Sequence, residues 1–254
     1  MELVLKLEAI LLVSLRVGPT IAFAPLFTLM RVPATIRVLL ALAIATALVG
    51  GQPEAALAAL RDGRSPVLLM AGELFVGIAI ALCLQVAFAA ILWAGGAVDA
   101  QAGFGLAAIA DPTTDAQMPL AGTVFAYAAG LIFFAMGGPY DLLALWAASL
   151  DALPVGSAAT GDMDALAALV GGSFAMAVGL FGIVMLVLFL LDLAIAFMSR
   201  TLPQMNMLLL GFQVKSIAML AALPIALALS TGVALGLLRF ALAQAPRLLV
   251  LSPG

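Results

Sequence analysis

Apolar residues fall in long, nearly unbroken blocks, and the polar residues between them are rich in glycine, proline and aspartate. Six blocks stand out, at 7–30, 36–50, 67–98, 120–136, 165–198 and 205–242. None alternates at a period of two, and none keeps a polar stripe. The pattern predicts helices that are apolar all round, buried in lipid or in protein. Ser65-Pro66 reads as an N-cap with proline at the first helical position. Residues 52–64 read as a short polar connection. Gly95, Gly96 and Gly103 bracket the next one, which runs to Pro119. Gly137-Gly138-Pro139 ends the fourth block; residues 140–150 form a further short helix, 151–164 a polar stretch and 199–204 a tight turn. A bilayer core about 30 Å thick needs about 20 helical residues. The blocks at 67–98, 165–198 and 205–242 each exceed 30 residues, more than tilt readily absorbs. These helices are expected to be kinked or partly buried in protein, and Pro19, Pro25 and Pro224 lie inside blocks.

Composition sharpens the class. Apolar residues make up 66% of the chain and charged residues 9%, against about 25% charged in soluble domains. Mean hydropathy is +1.28. The expectation is one all-α membrane domain over 1–254, with membrane lipid as a partner and no soluble appendage. The net charge of −3 is small and the Lys and Arg residues are scattered, so no nucleic-acid footprint is present. Histidine is absent, which removes the commonest metal ligand and general base. The single cysteine, Cys83, lies in an apolar run and reads as packing. Ala22-Phe23-Ala24 resembles a signal-peptidase site, but Glu2, Glu8 and Arg16 disrupt the required flanks. A retained first helix is expected.

Charge placement resists a simple topology. Lys and Arg should gather in cytoplasmic loops. Asp99, Asp111 and Asp115 make the third connection acidic, and Asp141, Asp151, Asp162 and Asp164 do the same for the fourth. Strict alternation would place these on opposite sides, yet both look external. Arg200 and Lys215 mark the fifth connection, and Arg239 and Arg247 the tail. Both look internal, although alternation separates them. No internal repeat is evident, which disfavours a transporter of two inverted halves.

Four ordered stretches together resemble the FliR family of flagellar export proteins, called SctT in virulence secretion systems. They are RVGPTIAFAPLFTLMRVPATIRVLLA from Arg16; Gly72-Glu73 with Gly77; GGAVDAQAGFGLAAIADPTTDAQMP from Gly95 to Pro119; and Pro203-Gln204-Met205-Asn206 with Gly211-Phe212-Gln213-Val214-Lys215. The resemblance implies a single-copy subunit of a helical, cone-like assembly with FliP-like and FliQ-like subunits, beside FlhB-like and FlhA-like export proteins. That assembly sits in the flagellar basal body at the bacterial inner membrane, and exported unfolded proteins pass through it. It also implies a FliP-like part at 1–164, with a plug loop at 103–119, and a FliQ-like helical hairpin at 165–243 with its turn at 199–206. No cofactor, metal or catalytic residue is implied. Two departures stand out: Gln213 replaces the family's usual proline, and Leu106 and Ile109 replace residues that are often aromatic.

The candidate residues carry two readings each. In 103–119, apolar Phe104, Leu106, Ile109 and Met118 lie among polar residues, and Asp111-Pro112 breaks helix. They form either an external loop folded onto the helices or a plug whose apolar side chains exclude water from a constriction. The resemblance favours the plug. Arg16, Glu73, Asp192 and Lys215 are charges in or near apolar blocks, with Arg200, Pro203 and Gln204 at the hairpin turn. Such charges are costly and mark function or pairing; pairing between helices is the favoured reading. Asp192 lies 11 residues before Pro203 and Lys215 lies 12 after it, so an antiparallel hairpin sets them at nearly one height. Enzyme motifs are weak. Tyr140-Asp141 is half of an intramembrane aspartyl-protease signature without its partner, and Asp162-x-Asp164 lacks calcium-loop spacing. Within the resemblance the alternative to a flagellar subunit is a virulence type III secretion export-gate subunit; the rival classes are an ion-coupled secondary transporter using Glu73 and Asp192, and such a protease.

Overall fold

The computed structural model describes residues 2–29, 31–61, 65–104, 119–157, 159–201 and 207–251. Nine helices and one small ribbon are found among them: α1 (Glu2–Phe23), α2 (Pro25–Leu29), α3 (Ala34–Gly51), α4 (Pro53–Arg61), α5 (Pro66–Ala102), α6 (Leu120–Ala135), α7 (Gly138–Ala152), β1 (Ala159–Gly161), α8 (Met163–Thr201), α9 (Met207–Leu248) and β2 (Leu249–Leu251). The protein is an all-α membrane protein with one antiparallel two-strand ribbon, in which Thr160 faces Val250.

Four described helices are long and apolar enough to cross a bilayer: Ala34–Gly51, Pro66–Ala102, Met163–Thr201 and Leu210–Leu248. The pair Leu120–Ala135 and Gly138–Ala152, bent by 72°, would make a fifth if it crosses as one span. The bend falls at Gly137, whose φ of +81° suits glycine. Helices α5, α8 and α9 have 37, 39 and 42 residues. In their most apolar windows α5 is 56% buried, whereas α8 and α9 are 28% and 22% buried. Thus α5 is covered largely by protein, and the other two present apolar side chains such as Ile183, Phe189, Ile217 and Leu229 outward.

Several boundaries differ from the sequence expectation. The first block is not one helix. It breaks at Ala24, before Pro25, and the last carbonyls of α1 are taken up from elsewhere: Arg37 of α3 donates to Ala22 O, and Gln85 Nε2 of α5 donates to Phe23 O at 2.7 Å. The polar stretch 52–64 contains α4, which opens on Pro53 with Glu54 in its first turn, a favourable start for a helix. Gly95 and Gly96 do not end α5; the helix runs through them to Ala102. Residues Ser199 to Thr201 continue α8 instead of turning, and α9 reaches Leu248, beyond 242. Asp162 is the N-cap of α8, its Oδ1 accepting Asp164 N–H at 2.8 Å and Ala165 N–H at 3.2 Å.

The chain forms two compact units. One comprises Met1–Val86, Phe133–Gly171 and Leu238–Gly254, the other Ala87–Ile132 and Gly172–Leu237. In the first, α1 packs along α3, and α4 contacts α1, α3 and α7. Its core holds Val13, Val17, Ile21, Leu142, Trp146 and Leu150. In the second, the rings of Phe125 and Phe181 meet at a 49° tilt with centroids 4.5 Å apart, and Trp93 meets Phe174 at 5.3 Å.

Candidate functional site

The buried charges of the first unit form one network. Arg16 and Glu73 are 1% and 2% exposed. Arg16 Nε donates to Glu73 Oε2 at 2.7 Å and Arg16 Nη2 to Oε1 at 3.0 Å, the two-pronged geometry that suits guanidinium and carboxylate. The remaining donors reach the end of α7: Nη1 to Ser149 O at 2.9 Å and Nη2 to Leu153 O at 2.8 Å. Gly156 N–H also donates to Glu73 Oε1, at 3.4 Å. A cation is favoured where the carbonyls of a helix end are free. Gly77 explains how α5 comes so near: a Cβ there would lie 2.5 Å from Arg16 O and 2.7 Å from Leu15 O. Pro19 cannot donate to that Leu15 carbonyl.

In the second unit, Lys215 Nζ of α9 lies 2.9 Å from Asp192 Oδ1 of α8, at the matched heights the hairpin spacing gives. The lysine is largely covered and the aspartate side chain is 43% exposed. Each of the two carboxylates named for ion coupling therefore has its own cation, Arg16 for Glu73 and Lys215 for Asp192. Arg200 lies in the last turn of α8, where a cation offsets the helix dipole. Pro203 and Gln204 lie outside the described residues.

The second unit also contains both ends of the 103–119 segment. Its start is a glycine-terminated helix end. Gly103, at φ +94°, donates to Ala100 O at 3.1 Å, and Phe104 N–H donates to Asp99 O at 2.9 Å, a Schellman arrangement. Phe212 of α9 packs on Gly103, where a Cβ would fall 2.7 Å from its ring. Ser216 Oγ donates to Ala102 O at 3.5 Å, and Gln101 Nε2 donates to Met185 O of α8 at 3.4 Å. Lys215 immediately precedes Ser216, so one turn of α9 serves both the ion pair and the end of α5. At the far end, both oxygens of buried Asp99 accept the Ala121 N–H at 3.2 Å. The backbones of α5 and α6 nearly touch beside it: a Cβ on Gly95 would lie 2.2 Å from Gly122 Cα. Leu106, Ile109, Asp111, Pro112 and Met118 lie outside the described residues; Phe104 is the one named plug residue within them.

Sequence reasoning placed Asp99 only among the acids of the third connection. The missed signal was an aspartate in the last turn of a helix, just before its terminal glycine. The protease motif dissolves in the structure. Tyr140 is 75% exposed, and Asp141 lies in the first turn of α7, where an acid is an ordinary helix-start residue.

Residues 7–240 match the family described as "Bacterial export proteins, family 1". The chain is 28% identical to the flagellar biosynthetic protein FliR of Escherichia coli over 82% of its own length and 81% of that protein's. It is 30% identical to FliR of Bacillus subtilis over the same shares. The secretion system apparatus protein SsaT of Salmonella typhimurium is 29% identical over 61% of each chain. With a family match across 7–240 and two FliR proteins aligned over most of their length, the chain belongs to the FliR/SctT family of bacterial export proteins.

Proposed function

We propose that this protein is a structural and gating subunit of the export channel of a flagellar type III secretion apparatus, required for flagellum assembly. The observation that carries the reading is family membership over nearly the whole chain, with two FliR relatives each matched over 82% of it. The fold adds physical support. Helices α8 and α9 leave long apolar faces uncovered, and such faces require lipid or partner subunits. The partners are FliP-like and FliQ-like subunits, one copy of this chain joining several of each, with FlhB-like and FlhA-like proteins alongside. The site is the inner membrane within the basal body, and the cargo is unfolded protein. The reading assigns the chain no catalytic step. Residues 1–164 take the FliP-like role and 165–243 the FliQ-like role.

Within this reading the segment from Phe104 to Met118 closes the channel at rest. Apolar side chains exclude water from a narrow passage without gripping a moving polypeptide by strong hydrogen bonds. Changing Leu106 and Ile109 together to Ser is expected to make cells expressing the whole complex leak small ions while particle yield stays normal. Wild-type permeability with normal assembly would reject the closing role and leave an external loop.

A further inference from the structure

A groove in the first unit, between α1 and α3, is apolar along its length and cationic at one end. Its volume is about 660 Å³, within the range of ligand sites. Leu11, Gly18 and Ala22 of α1, Ala41 and Leu42 of α3 and Leu74 of α5 line it, and Arg37 stands at the Ala22 end. The protein serves Arg37 poorly. Its Nη1 donates to Ala22 O, but Nε is buried without an acceptor. Among the described residues no carboxylate pairs with it, because the two ion pairs found there belong to Arg16 and Lys215. The start of α3 lies at the same end. Pro33 precedes that helix and supplies no side-chain cap, and free N–H groups at a helix start favour an anion. Arg31, exposed just before it, adds a second positive charge. The groove therefore fits a ligand with an anion at one end and hydrocarbon along the rest.

Helix α3 sets the groove's depth in a bilayer. It is long and apolar enough to cross, and only 17% of it is buried within the protein. Its length is about 27 Å, close to a bilayer core of about 30 Å, so its first turn, with Arg37, comes at headgroup level. From Ala22 to Leu11 the α1 wall runs about 16 Å, the depth of one leaflet of that core. Gly18 keeps the wall open, because a Cβ there would meet nothing within 4 Å. We propose that this groove binds one anionic phospholipid: the Arg37 guanidinium and the first turn of α3 hold the phosphate, and an acyl chain lies along Gly18, Ala41 and Leu42.

The test uses the assembled complex purified from cells and two photoreactive lipids, a phosphatidylglycerol and a phosphatidylcholine with the same diazirine-bearing acyl chain. Peptide mass spectrometry locates the adducts. In the wild type, adducts are expected within 11–22 and 34–42, about tenfold more from phosphatidylglycerol. Arg37→Gln should lower these to the phosphatidylcholine level. Gly18→Leu fills the groove and should remove the adducts of both lipids. Arg239→Gln, at an exposed arginine of α9 outside the groove, should change nothing. Absence of adducts in the wild-type groove overturns the proposal and means that a partner subunit covers it. Equal labelling by the two lipids, or equal losses in Arg37→Gln and Arg239→Gln, overturns it too, since both mark ordinary surrounding lipid. Should Arg37→Gln fail to assemble, Gly18→Leu decides, because it leaves Arg37 in place. Unchanged adducts then overturn the proposal, and their loss from an intact complex supports it. Loss of the particle in both variants would make the groove a subunit contact and also overturn it.

Discussion

Arg16 shows how a charge persists inside an apolar protein. Its donors are spread over a carboxylate and two helix-end carbonyls, so little of the charge is left without a partner. Removing one member strands the other. Glu73→Gln is expected to destabilise the first unit by about 3–5 kcal/mol, and Arg16→Met with Glu73→Leu by much less. Thermal unfolding in detergent measures both, and equal losses in the single and double variants would show that packing, not pairing, dominates. The Asp192–Lys215 pair is more open and joins α8 to α9. Asp192→Lys and Lys215→Asp should each lower the yield of assembled particle, and the double swap should partly restore it. Strict additivity of the two defects would count against pairing. The two ion pairs were not equally legible. A tight turn fixes which residues of a hairpin share a height, so Asp192 and Lys215 could be matched from spacing alone. Nothing in the chain says that α1 lies against α5, so Arg16 and Glu73 were recognisable as charges needing partners but not as each other's.

At the scale of elements, the apolar blocks were readable because length and hydropathy alone demand helices. Glycine was the ambiguous letter. Gly103 and Gly137 do end helices, with φ of +94° and +81°. Gly95 lies inside a helix because Gly122 needs the room, and a lone glycine does not distinguish a turn from a close contact. The helix Pro53–Arg61 was hidden by its shortness and by the polar residues around it, although Pro53 and Glu54 are sound helix-start residues. The bend of 72° between α6 and α7 bears on the charge pattern. If the pair enters and leaves on one face, the acidic stretches on either side of it lie on the same side of the membrane, as their composition asks. Cysteines placed at Thr114 and Ser157, with Cys83 changed to Ser, should both react with a membrane-impermeant thiol reagent from the periplasmic side. Labelling from opposite sides would mean that the bent pair crosses as one span.

For the whole molecule, the exposed apolar faces and the family membership lead to one account: this chain is completed by other subunits. Alone in detergent it should be unstable or associate promiscuously, because α8 and α9 are only 28% and 22% buried in their apolar windows. The family was legible from motifs that are individually weak, glycines, prolines and a few charges, because their order along the chain is hard to meet by chance. Several of those residues have structural work: Gly72-Glu73 and Gly77 flank the Arg16 network, and Phe212 seats the end of α5. The most direct measurement is to co-express the chain with FliP-like and FliQ-like subunits and weigh the purified particle by native mass spectrometry. The account predicts a detergent-resistant particle larger than any single subunit, containing one copy of this chain. A stable monomer that excludes those partners, or a particle with several copies of this chain, would contradict it.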